Sequence, residues 1–309
     1  MKETVIRRKK YRVNEISPGW NLVLTVVMTL LAVMTLLPLA LVVCISFSSS
    51  ESLTRYGYQF IAHEWTTVAY TNLARAGSSL FRSYLNTIFY SFGGTALSLL
   101  VMSMFAYVLA MRDFKPRRFL AFFTFFTTLF SGGLVPSYIL NVRYLHINDT
   151  IWIFLLPGMV NAFYVIILRT FIKSSIPDSL FDAACLDGAN EWTVYWRIAM
   201  PLSKAGLATV GLFGLVIRWN DWFTGILYIE KPKLVPVMTY LQRIQKNLDF
   251  LKNNSDVANS VEGRELLKSI PSESTRMAIT VISVLPLLVA YPFFQKYFVK
   301  GLTIGSIKG

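Results

Sequence analysis

The sequence predicts an all-α, polytopic membrane protein with six membrane-spanning helices, and three observations carry that prediction. First, hydrophobic residues fill 54% of the 309 positions and charged residues only 15%, against roughly 25% charged in soluble domains, and the mean hydropathy is +0.50. A soluble fold of this length cannot hide so much apolar surface, whereas lipid solvates it directly. Second, the apolar residues gather into long runs without a charge, at 16–50, 83–111, 119–142, 150–168 and 277–295. The shortest holds 19 residues, and at about 1.5 Å per residue it reaches roughly 28 Å, enough for a hydrocarbon core. Third, the net charge of +13 sits at the N-terminus and in short connecting segments, as topology signals do. A nucleic-acid-binding protein needs a continuous basic stripe instead, and none is visible, so no nucleic-acid partner is expected.

The elements follow in order. Residues 1–21 form a basic segment carrying Lys2, Arg7, Arg8, Lys9, Lys10 and Arg12. The first span, about 22–46, is too long for a signal-peptide core and lacks a small-residue cleavage site, so it reads as a retained helix. Further spans are expected at about 84–111, 119–141, 150–169, 204–229 and 277–296. The fifth is interrupted by Arg218 and Asp221, either a pair along one helical face or members of a polar pathway. With the N-terminus inside, the inner segments 1–21, 112–118, 169–204 and 296–309 hold 6, 4, 4 and 3 basic residues. The short outer segment 143–149 holds 1. The short loops thus place both termini in the cytoplasm. The outer segment 230–275 contains 240–248, whose apolar residues fall at helical spacing.

Cys44 and Cys185 fall on opposite sides of this topology and are not expected to pair. His63 and His146 each stand alone, so no metal is expected, and no cofactor either. The chain lacks the glycine-rich loop ending in Lys-Ser/Thr that cradles nucleotide phosphates. It is therefore not expected to be an enzyme that hydrolyses ATP by that route.

The inner loop 170–203 is too polar and too long to be a turn. Ser175 and Asp178 bracket Pro177 in the manner of a capping box. Leu180, Phe181, Ala183, Ala184 and Leu186 give a short helix a broad apolar face. Gly188 can end it in a left-handed conformation, and Asn190 can cap a second helix with Glu191 in its first turn. An apolar helix pair exposed inside the cell is either a docking site or an interfacial helix on lipid headgroups.

This segment resembles the signature loop of ABC importer permeases: Glu-Ala-Ala, three residues, glycine, nine residues, Ile-x-Leu-Pro. The chain reads Asp182-Ala183-Ala184, then Gly188, then Ile198-Ala199-Met200-Pro201, at the family spacing. It departs by Asp for Glu at 182 and Met for Leu at 200. The stretch Trp219-Asn220-Asp221-Trp222 is similar to one in sugar permeases, and the tail 299–309 to that of the MalG-type subfamily. The resemblance implies a type I ABC importer transmembrane domain, here 22–298. It implies as partners a second homologous permease in a heterodimer, two ATP-binding cassette subunits, an extracellular solute-binding protein, and a sugar or oligosaccharide. It further implies that Phe181, Asp182, Ala183, Ala184, Leu186, Gly188 and Pro201 couple the permease to the ATPase. Trp219, Asn220 and Asp221 would line the substrate pathway, and the tail would reach the ATPase dimer. The alternatives are a secondary transporter, which would show repeats and more intramembrane ionisable groups, or a membrane-embedded enzyme with interfacial carboxylates.

Overall fold

The computed structural model of the chain describes residues 17–75, 78–254, 260–261, 263–265 and 270–306. The basic residues expected to fix the N-terminus, and residues 307–309 of the tail, lie outside this set. Among the described residues the architecture is helical, with one isolated bridge pair, Ser48 with Trp65.

Helix α1, Pro18–Ser46, has Pro18 in its first turn, where a missing N–H costs nothing. It is exposed from residue 17 to residue 40, and an apolar helix exposed all round belongs in lipid. Its hydroxyls are satisfied locally, Thr25 donating to the Asn21 carbonyl at 2.8 Å and Thr29 to that of Thr25 at 2.7 Å. Helix α2, Ser79–Ala110, is 32 residues long and starts before the run expected at 84–111. The extra turns carry Ser79, Arg82 and Ser83 into the polar region at its N-terminal end.

The next three runs are broken rather than continuous. Helix α3, Arg117–Leu129, and helix α4, Leu134–Tyr144, meet at 111°, with Gly133 at φ +85° in the junction. The fourth run contains a one-turn helix, Trp152–Leu155, then Pro157 and Gly158, then α5, Ala162–Ser175. Helix α6 is Asp178–Leu186. Helix α7, Glu191–Leu202, meets α8, Lys204–Trp219, at 77°. Helix α8 stops at Asn220, and α9, Phe223–Tyr228, follows. The spans expected at 119–141, 150–169 and 204–229 are therefore each built from two shorter helices. Glycine and proline at the first two junctions break the hydrogen-bond ladder.

Helix α10, Val237–Asn253, is the surface helix expected around 240–248, longer at both ends. Helix α11, Glu273–Ser306, carries Pro286 and Pro292 and continues into the tail. Among the described residues three helices are able, by length and composition, to cross a membrane, α1, α2 and the 273–293 part of α11, or up to five if each bent pair is one span.

The main core joins α2, α5 and α8 through Ala106, Leu109, Val165, Leu168 and Val210, each at most 1% exposed. At the opposite end of α2 from this cluster, the α8–α10 segment is stitched back to the bundle. Thr87 Oγ1 accepts from the Val237 N–H at 2.8 Å, Asn86 Nδ2 donates to the Lys233 carbonyl at 2.8 Å, and Tyr90 stacks on Phe154 at 4.3 Å. Asp149 accepts from the backbone N–H groups of Glu230 at 2.7 Å and Lys231 at 3.0 Å. The Lys231 N–H foremost holds that carboxyl below the usual carboxylate range, because it stabilises the charged form.

Candidate functional site

Two regions carry the expected site residues. The first is the helix pair α6–α7. Asn190 caps α7 as expected, its Oδ1 accepting from the Thr193 N–H at 2.8 Å. Gly188 stands at φ +73°. The Gly188 N–H donates to the Cys185 carbonyl at 3.0 Å and the Ala189 N–H to that of Ala184 at 2.9 Å. That pair of bonds is the Schellman arrangement, which requires a left-handed residue between helix and exit. The capping box at the start of α6 does not form. Ser175 is the last residue of α5, and Pro177 stands at the α6 cap without a side-chain bond. Asp178 instead makes an ion pair with Arg112, at the exit of α2.

The pair is bolted to the bundle. Tyr107 on α2 donates to Glu191 Oε2 at 2.7 Å, and the Ser103 and Tyr195 hydroxyls lie 2.8 Å apart. The Tyr107 and Tyr195 rings meet edge to face at 5.4 Å. The polar partners thus satisfy one another inside an apolar cluster, which makes the joint directional as well as tight. Of the expected coupling residues, Phe181 and Ala184 face inward and join the core cluster, Phe181 lying 6.4 Å from the Tyr107 ring. Phe181, implied by the resemblance to couple to the ATPase, is thus partly buried against this chain's own bundle. Asp182, Ala183, Gly188 and Pro201 are exposed, and Leu186 is 89% exposed. Leu186 therefore has no neighbour in this chain that buries it. Ser103, Tyr107, Arg112 and Tyr195 escaped sequence reasoning as anchors, since pairings across 84 or 92 positions leave no local pattern.

The second region is the end of α8. Trp219 is 1% exposed, donates from Nε1 to the Ser283 carbonyl at 2.9 Å and meets Tyr84 edge to face at 6.0 Å. It wedges α8 against α2 and α11, so its expected place on a pathway wall is corrected to one inside the bundle. Asn220 is exposed and ends α8, its Nδ2 donating to the Val216 carbonyl at 2.9 Å. Arg218 and Asp221 form no ion pair. Arg218 donates from Nη1 to the Phe154 carbonyl at 2.8 Å and from Nη2 to Ser98 Oγ at 2.5 Å. Gly94 leaves room for it, since a Cβ there would sit 3.1 Å from the Arg218 Cδ. Asp221 Oδ1 accepts from the Thr224 N–H at 3.0 Å and starts α9. Among the described residues no group of three or more His, Cys, Asp or Glu is placed to hold a metal.

A bundle of apolar helices, broken in its middle spans and carrying a helix pair fixed to its side, is the architecture of a polytopic membrane protein. Residues 103–304 match the family of binding-protein-dependent transport system inner membrane components, and the chain belongs to that family. It is 36% identical to Protein LplC of Bacillus subtilis (strain 168) over 89% of this chain and 90% of that protein. It is 34% identical to the polygalacturonan/rhamnogalacturonan transport system permease protein YtcP of the same strain, over 90% of this chain and 94% of that protein. A crystal structure of a bacterial ABC transporter involved in the import of the acidic polysaccharide alginate contains a chain superposing with TM-score 0.77 at 29% identity, over 92% of this chain and 99% of that one. The chain is thus a permease subunit of an ABC importer rather than an enzyme. It works in the inner membrane with the importer's other permease, ATPase and binding-protein components.

Proposed function

We propose that the chain forms half of the translocation pathway for a sugar or oligosaccharide, in a heterodimer with a second, homologous permease. Two ATPase subunits and an extracellular binding protein complete the assembly. The chain crosses the membrane six times with both termini in the cytoplasm, the broken runs each counting as one crossing. The observation that carries the reading is Leu186, 89% exposed on a helix pair locked to the bundle. A rigid lever with an open apolar tip transmits force once a partner covers the tip. The saccharide assignment is supported by what the relative YtcP and the alginate importer are named for. It is also supported by Asn220 and Trp222, both exposed at the break after α8, since amides suit hydroxyls and indole faces suit sugar rings.

Two tests follow from the topology and the pathway. Cys185 is exposed in the fold, so an impermeant thiol reagent reaches it unless the membrane stands between. Intact cells should leave Cys185 unlabelled and lysed cells should label it; labelling without lysis reverses the orientation. At the break, Asn220→Ala should lower uptake by about five- to tenfold, the equivalent of one hydrogen bond of roughly 1 kcal/mol, while the complex still assembles. Normal uptake by a well-assembled variant removes Asn220 from the pathway.

A further inference from the structure

Four cations gather where α2 and α5 end and α3 begins. Arg112 lies just past the end of α2 and Arg117 opens α3, while Arg169 and Lys173 stand one turn apart near the end of α5. Arg117 Nη1 donates to the Met111 carbonyl at 3.0 Å and Arg169 Nε to the Leu109 carbonyl at 3.1 Å, so both guanidiniums are held against the exit of α2. Arg112 is paired with Asp178. Among the described residues Lys173 makes no hydrogen bond or ion pair.

The cluster is short of negative charge. Desolvation, and after it the fields of Arg169, Arg117 and Arg112, hold the Lys173 ammonium below its usual value, since each disfavours the charged form. Asp178 is the carboxylate that pulls the other way, and it already serves Arg112. The segment 112–118 adds Lys115 and Arg118, with Asp113 as its one acid. Between the ends of α2 and α5 and the start of α6 lies a cavity of about 130 Å³. Arg112, Lys173 and Asp178 form its polar side and Ile172, Ile176 and Phe181 its apolar side. A water needs about 10–15 Å³ of such space, so the cavity admits a group several waters in size.

We propose that this cluster binds the phosphate of an anionic phospholipid headgroup, with Lys173 as the principal contact and Arg112 and Arg117 beside it. The place of the cluster argues for a lipid. The charge-free runs 83–111, 119–142 and 150–168 each begin or end beside one of these cations, and the ends of apolar spans stand at headgroup depth. Immediately beyond Arg117 and Arg118, α3 exposes Phe119, Phe122 and Phe123, a surface that suits acyl chains while the headgroup reaches back to the cations. Basic pockets between spans hold acidic headgroups in this manner, and guanidinium and ammonium groups make strong, charge-assisted hydrogen bonds to phosphate oxygens. Such a site needs only a chain that spans the membrane and is independent of the solute carried.

The test uses the whole complex in phosphatidylcholine nanodiscs, without ATP or solute, and a phosphatidylglycerol carrying a diazirine on its headgroup. Photolysis followed by peptide mass spectrometry should place the label within 112–118 and 169–178. Excess unlabelled phosphatidylglycerol should remove that label, and the same excess of phosphatidylcholine should leave it. Lys173→Gln should lower the labelling by about fivefold, the worth of one cation at an anionic surface, and Lys173→Arg should retain it. Lys204→Gln, which removes the cation at the start of α8, should leave it unchanged. Label that falls elsewhere leaves the cluster without a lipid, and equal competition by phosphatidylcholine means that no anionic lipid is preferred. Loss of label to inorganic phosphate makes a soluble anion the ligand. Labelling only after the ATPase subunits are stripped away means that they cover the cluster, and an equal loss in Lys204→Gln means a diffuse surface charge without a site. Each of these results overturns the proposal.

Discussion

Gly188→Asp should reach the membrane in normal amount yet fail to retain the ATPase subunit on purification, or retain it without substrate-stimulated hydrolysis. A side chain at φ +73° costs about 1–2 kcal/mol in left-handed strain. It also adds a negative charge beside Asp187 at the C-terminal end of α6, where the helix dipole disfavours it. No atom of this chain lies within 4 Å of a Cβ at Gly188, so the permease itself has no steric objection and the bundle should fold. On the proposed coupling role, the loss belongs to the surface the ATPase would cover. Gly188→Ala carries strain without charge and should fall between the two. Co-purification followed by hydrolysis with and without loaded binding protein reads the outcome. Full stimulated hydrolysis and uptake by Gly188→Asp would make α6–α7 a membrane-surface element instead of the coupling lever.

The largest loss of stability is expected from Gly225→Val. Gly225 on α9 is buried, and a Cβ there would overlap the Thr239 side chain, with the Thr239 Cβ 2.8 Å away. Thr239 is 0% exposed and donates to the Trp222 carbonyl at 3.1 Å, while Arg243 donates to the carbonyls of Gly225 and Ile229. No flexible tip is available to yield, so α10 must lift from α9. Overpacking of this kind costs about 1–3 kcal/mol, and the displaced carbonyls of Trp222 and Gly225 add to it. Thermal unfolding of the purified complex should show a lowered midpoint. Thr239→Ala in the same chain removes the hydroxyl overlap but keeps the Cβ, so rescue should be partial. An unchanged midpoint in Gly225→Val would mean that α9 and α10 do not pack as described.

How much of this was legible depended on whether the signal was local. Gly188 and Asn190 were readable because a left-handed stop and a side-chain cap act within a few residues of themselves. Asp178 was misread for the same reason. Its partner is Arg112, 66 positions earlier in the chain, and no short pattern announces it. The broken runs are a different failure. Absence of charge marks a stretch as apolar but says nothing about its continuity, although Gly132-Gly133 with Pro136, and Pro157-Gly158, are breakers that a closer reading would have weighed. Trp219 was placed on the wrong surface because neighbours in sequence, Trp219 and Asn220, point to different sides of a helix. Which side is interior depends on α2 and α11. The family itself was legible, because the signature spacing from Asp182 to Pro201 is itself local.

Helix α1 packs along α11, and Ser50 at the end of the first span meets Ser274 at the start of the last, hydroxyl to hydroxyl at 3.3 Å. Two helices whose meeting hydroxyls stand 224 positions apart therefore dock on each other. Until α11 is made α1 lacks that partner, and its composition suits the wait: no charge, and hydroxyls folded back onto its own carbonyls. Contacts between distant parts of a chain are slow to close, and this one spans 224 positions. The joining of α1 to α11 is then a clasp that forms only once α11 has been made.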